Sequence, residues 1–113
     1  MSKIKSKKTE ERELDNMWKK KVKDRDNWTC QICYRNMRNT PKSCNAHHIL
    51  PKLMKRMRWD VKNGITLCPN HHSLGIFSAH QNAIWFFGWM NTNKKEQLNH
   101  CIDCLSKHGK TIK

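Results

Sequence analysis

Two short pairs of metal-seeking residues stand out in this chain of 113 residues: Cys30-Gln31-Ile32-Cys33 and Cys68-Pro69-Asn70-His71. A structural zinc takes four tetrahedral nitrogen or sulfur ligands and leaves no coordination position open. Cys30, Cys33 and Cys68 supply three thiolates, and His71, three residues after Cys68, completes a Cys3His set. The alternative is that these cysteines are small buried hydrophobes. The close Cys-x2-Cys and Cys-x2-His pairing argues for zinc instead. Three more histidines lie close by in sequence: the adjacent His47 and His48, and His72. An imidazole with an ordinary pKa of about 6.5 is largely neutral at pH 7, so it can accept a proton or ligate a metal. Neighbouring side chains on a strand point to opposite faces. His47 and His48 can therefore serve one site only where their strand is distorted or ends.

The composition sets what such residues act on. Lys and Arg number 23 against 9 Asp and Glu, a formal net charge of +14. A field of that sign attracts polyanions, and nucleic acid is the expected partner. No apolar run approaches the ~20 residues of a membrane span. The opening Met-Ser-Lys-Ile-Lys-Ser-Lys-Lys is basic but has no apolar stretch after it, as a signal peptide would. Membrane spanning and export are disfavoured, and an intracellular, cytoplasmic location is expected (host cytoplasm for a viral protein). Six cysteines in a reducing compartment hold metal more readily than disulfides. With only 36% hydrophobic residues the core is small, and a zinc site can supply the missing folding energy.

The elements that must position these groups are short. Residues 1–8 read as a disordered basic arm, and 9–113 as a single domain. Thr9 is a plausible N-cap for a helix over about 9–24, with Leu14, Met17, Trp18 and Val22 at helical spacing. A turn surrounds Cys30 and Cys33. Strands are predicted over 45–50, stopped by Pro51, and over 65–67 after the Asn63-Gly64 turn. Pro69 suits the first turn of a helix over 69–74. Ser78 could cap another that runs through Ile84–Phe87 and stops at Gly88, and a last helix covers 94–108. The aromatic run 84–89 is expected to cover the centre as core rather than to stack on bases. Cys101 and Cys104 are read as core on a Leu98/Ile102/Leu105 stripe; Cys44 has no assignment, and His80 is read as helix surface.

Taken together, Cys30-x2-Cys33, Ala46-His47-His48-Ile49-Leu50-Pro51 and Asn63-Gly64-Ile65-Thr66-Leu67-Cys68-Pro69-Asn70-His71-His72 resemble the HNH endonucleases. The lead-in Arg25-Asp26-Asn27-Trp28-Thr29 is similar too, and the likeness covers about residues 22–75. It implies a small α+β fold, a ββα-metal core stapled by zinc between N- and C-terminal helices, with 76–113 as a helical extension. It further implies metal-dependent hydrolysis of DNA phosphodiester bonds. His47 and His72 would ligate a divalent ion (Mg²⁺, Mn²⁺ or another transition metal), His48 would be the general base, and Asn63 would fasten the loop that orients it. Relatives often carry Asp at the place of His47, and histidine shifts preference toward borderline ions. His47 and His48 could also exchange roles. Lys52, Lys55, Arg56, Arg58 and Lys62, between the two histidine segments, are expected to contact the DNA backbone. A non-catalytic zinc-stapled binding or packaging-accessory module is the alternative, docking on a larger nucleic-acid machine. By family analogy alone, such a domain suits phage or mobile genomes.

Overall fold

The computed structural model describes residues 6–109. The chain opens with helix α1, Lys7–Arg25, earlier than expected. Its N-cap is Ser6 rather than Thr9: the Ser6 hydroxyl accepts the Thr9 backbone N–H at 3.1 Å and also meets the Thr9 hydroxyl. The last residues of the expected basic arm are therefore cap and first turn, while residues 1–5 lie outside the described residues. Strand β1, Asn45–His48, precedes a one-turn helix α2, Lys55–Arg58. Strand β2, Gly64–Leu67, follows, then a single wide helical turn, Asn70–Leu74. Helices α3, Ala83–Asn93, and α4, Lys95–Gly109, complete the order.

β1 and β2 form an antiparallel pair in the register Asn45↔Leu67, Ala46↔Thr66, His47↔Ile65 and His48↔Gly64. β1 thus ends at His48, two residues before the expected end, because Asn63 takes over the backbone of Ile49 and Leu50. All four residues of β2 are buried. Gly64 is required by packing: a Cβ there would lie 2.5 Å from both Trp18 and Val22 side-chain atoms of α1.

The face that α1 buries is Asp15, Trp18 and Val22, whereas Leu14 and Met17 of the expected stripe are exposed. A carboxylate replaces an apolar side chain there because it has partners. Asp15 receives Arg58 Nε at 3.0 Å, Arg58 Nη2 at 2.7 Å and Trp59 Nε1 at 2.9 Å. The Arg58 hydrogen bond outweighs burial and lowers the Asp15 carboxyl from the usual 3.8 to about 2. A depressed folded-state pKa contributes stability that is complete above the unfolded value and lost as pH falls through the folded one. Wild type should therefore shed stability from pH 4 toward pH 2, in urea melts, in excess of any loss by Asp15→Asn. At neutral pH Asp15→Ala should cost about 2–4 kcal/mol, because Arg58 loses both hydrogen bonds to Asp15 while remaining largely buried, with Glu11 left at 3.5 Å.

Gly88 does not end a helix. It lies inside α3 without a positive φ, and the element runs on to Asn93. Ser78 caps only a turn, accepting Gln81 N–H at 3.1 Å, and Asn82 caps α3 by accepting Trp85 N–H at 3.1 Å. The aromatic run divides. Phe86 is buried, Trp85 and Trp89 pack against the core, and Ile84 and Phe87 face solvent. Cys101 and Cys104 are buried beside Leu50 and Met57, as core.

Candidate metal centre and catalytic site

Two clusters of ligand-bearing side chains form among the described residues: Cys30, Cys33, Cys68 and His71, and His47, His72 and His80. The first is made by two backbone turns. Cys30 N–H donates to Arg35 O at 2.9 Å and Tyr34 N–H to Cys30 O at 2.8 Å, with Tyr34 at φ 63°. That tight knuckle turns both thiols toward the end of β2. Backbone N–H groups of Cys33, Cys68 and Ile32 around Cys30 outweigh its burial and lower its thiol pKa. Cys33 Sγ lies 3.8 Å from Cys68 Sγ. His71 Nδ1 lies 3.3 Å from Cys68 Sγ and 3.8 Å from Cys30 Sγ. Tetrahedral zinc with bonds of about 2.3 Å to sulfur and about 2.0–2.1 Å to nitrogen has S···S edges of about 3.8 Å and S···N edges of about 3.6 Å. Donor set and spacing both fit zinc.

The second cluster was only partly legible in the sequence. His47 meets His72 edge-on at a centroid distance of 5.2 Å and His80 at 4.9 Å. Nε2 of His72 and Nε2 of His80 are 3.1 Å apart. His80 is surface-exposed, as expected, but it is not on a helix and not idle. Ala79 N–H donates to His71 O at 2.9 Å and His80 N–H to His72 O at 3.0 Å, so the chain returns to the turn it left. Burial, then the neighbouring His72 and His80, push His47 down to about 3; burial and His80 lower His72. Lowered pKa values favour the neutral, metal-ligating form of both imidazoles at pH 7.

His48 stacks on Trp18 yet lines the same cleft, of about 300 Å³, with His47, Lys52, His72 and His80. Its Nε2 lies 3.0 Å from the Arg58 carbonyl oxygen. A carbonyl can only accept, so Nε2 carries the proton and Nδ1 keeps its lone pair. The pKa of His48 is lowered, chiefly by burial. The geometric demand on adjacent histidines is met because β1 terminates at His48.

Asn63 is fully buried. Its Oδ1 accepts Leu50 N–H at 2.7 Å, and its Nδ2 donates to Leu50 O and Met57 O, each at 3.1 Å. It ties the end of β1 to the segment that presents the Arg58 carbonyl. Residues 30–84 match a family model described as HNH endonuclease. Over these residues the chain is similar to the HNH endonucleases. No curated protein and no solved structure matches the chain.

Helices on either side of the HNH segment reach into it. α4 grips the loop before β2 with residues of one face: Gln97 donates to Lys62 O and Gly64 O, His100 meets Asp60 at 2.7 Å, and the Cys101 thiol faces Asn63 Oδ1 at 3.7 Å. Arg58 departs from the expected DNA-facing set. Its guanidinium turns inward to Asp15, and Glu11 lies 3.5 Å away. Lys52, Lys55, Arg56 and Lys62 are exposed. No spacing rule could have found the pairing of Arg58 with a carboxylate 43 residues earlier.

Proposed function

We propose that this HNH domain is a metal-dependent DNA endonuclease with a structural zinc at Cys30, Cys33, Cys68 and His71. The observation that carries the reading is the hydrogen bond from His48 Nε2 to the Arg58 carbonyl, which leaves Nδ1 to accept a proton, on a residue that lines the same cleft as His47, His72 and His80. His48 takes the proton of the attacking water as general base. His47, His72 and His80 would hold one divalent ion, which would supply neutralisation of the charge growing on the phosphate and stabilisation of the leaving oxygen. Three imidazoles suit Mn²⁺ and later transition ions better than Mg²⁺. Asn63 keeps the Arg58 carbonyl and the end of β1 in place. Lys52, at the cleft, and Lys55, Arg56 and Lys62 hold the DNA backbone. Among the described residues no helix is long and apolar enough to cross a membrane, and the +14 charge suits a polyanionic partner.

Supercoiled plasmid incubated with Mg²⁺, Mn²⁺, Co²⁺, Ni²⁺ or Zn²⁺ should be cut by wild type and spared by His48→Ala. Binding without cleavage under every ion would make the chain a DNA-binding module instead. Affinity for duplex DNA should fall steeply with salt, at a log–log slope of about −0.9 per phosphate neutralised. Changing Lys52, Lys55 and Arg56 together to Gln should flatten that slope. Fluorescence anisotropy at several salt concentrations measures it, and affinity independent of salt would contradict backbone binding.

A further inference from the structure

Helix α1 lies outside the family-matched residues 30–84, yet it touches the proposed base directly. The Trp18 indole lies flat on the His48 imidazole, with centroids 3.7 Å apart and planes within 6°. The indole is itself pinned, because its Nε1–H donates to Asp60 O at 2.8 Å and only 1% of the residue is exposed. One turn earlier on the same face, Asp15 holds the Arg58 guanidinium through two hydrogen bonds. The backbone carbonyl of that same Arg58 is the acceptor for His48 Nε2. A single helix face thus fixes both the plane of the imidazole and the group that sets its tautomer.

We propose that Trp18 is a positioning residue for the general base, and that α1 is thereby an integral part of the catalytic centre. The inference rests on His48 acting as the base. A ring stacked on one face and hydrogen-bonded at Nε2 can turn neither about its own plane nor out of the cleft. Nδ1 therefore keeps one orientation instead of sampling other rotamers. Small losses of alignment at a reacting atom cost up to about 10²-fold in rate. Trp18 is not among the residues lining the cleft or forming the three-histidine cluster, so its effect should fall on the chemical step alone.

The test compares Trp18→Phe, which keeps a stacking ring but lacks the Nε1 hydrogen bond, with Trp18→Met, which offers no aromatic face. Each is checked for zinc content and for Mn²⁺ and DNA affinity before single-turnover cleavage is measured at saturating DNA and Mn²⁺. Trp18→Met should cleave about 10- to 10²-fold more slowly with both affinities unchanged, and Trp18→Phe should stay within a few-fold of wild type. A folded, zinc-loaded Trp18→Met that cleaves at the wild-type rate would overturn the proposal, as would losses confined to DNA or ion affinity. Long-range ¹H–¹⁵N NMR of wild type at one fixed pH needs neither activity nor a folded variant. It should show His48 as a single Nε2–H tautomer with ring protons shifted upfield by the indole. Averaged tautomers or unshifted protons would overturn the inference even if Trp18→Met fails to fold. A wild type that holds this signature but cuts no DNA under any ion would instead refute the nuclease reading.

Discussion

Cys33→Ser should lose the bound zinc and the tertiary structure together. Cys33 is the exposed member of its ligand set, whereas Cys30 and Cys68 are buried. Replacing its sulfur with oxygen therefore removes almost no core packing, and any collapse reports the metal. The expected collapse is large because the site cross-links segments far apart in sequence in a chain with a small core. The knuckle at 30–33 meets residues 68–71, with Cys33 and Cys68 35 positions apart. Apparent zinc affinities of such sites correspond to about 10–16 kcal/mol at neutral pH, comparable to or larger than the net stability of a small domain. Purified wild type should carry one tightly held zinc by elemental analysis. Chelation should abolish the near-ultraviolet dichroism of its buried tryptophan, and added zinc should restore it. A metal-free Cys33→Ser with native dichroism would refute the structural assignment.

The second large effect separates proton transfer from ion binding. His48→Ala leaves His47, His72 and His80 in place, so calorimetric titration should still register one Mn²⁺ while cleavage falls about 10²- to 10⁴-fold. His72→Ala and His80→Ala remove ligands, so both should weaken ion binding and slow cleavage, with partial rescue by excess Mn²⁺. The effect at His80 distinguishes this arrangement from one in which only His47 and His72 matter. Loss of the ion in His48→Ala, with retention in His47→Ala, would exchange the roles of the adjacent pair. Wild-type cleavage by both His48→Ala and His72→Ala would place the reaction elsewhere.

Local spacing carried most of the metal chemistry. Cys30 and Cys33 on one turn, and Cys68 and His71 on another, are close because the turns themselves are short, so composition and spacing sufficed to group them. His80 escaped this logic: eight residues from His72, it returns only because the backbone at 79–80 pairs with the carbonyls of His71 and His72. Gly88 misled as a helix stop, since packing of Phe86 and Met90 into the core carries α3 through it.

By itself the sequence made legible the Cys30, Cys33, Cys68 and His71 cluster and the strong positive charge, which follow from residue type, short-range spacing and composition, and the likeness to the HNH endonucleases, through which His47, His48, Asn63 and His72 are singled out. Tertiary structure alone decided the tautomer of His48, the placing of His80 beside His47 and His72, and the inward turn of Arg58 away from the exposed cations around it. It also decided which face of α1 is buried: Asp15 replaces Leu14 and Met17 there because a guanidinium and an indole N–H from distant residues satisfy its carboxylate. Partners that lie 43 and 44 residues away leave no periodic trace in a chain. A buried charge becomes tolerable only once folding has delivered the groups that neutralise it.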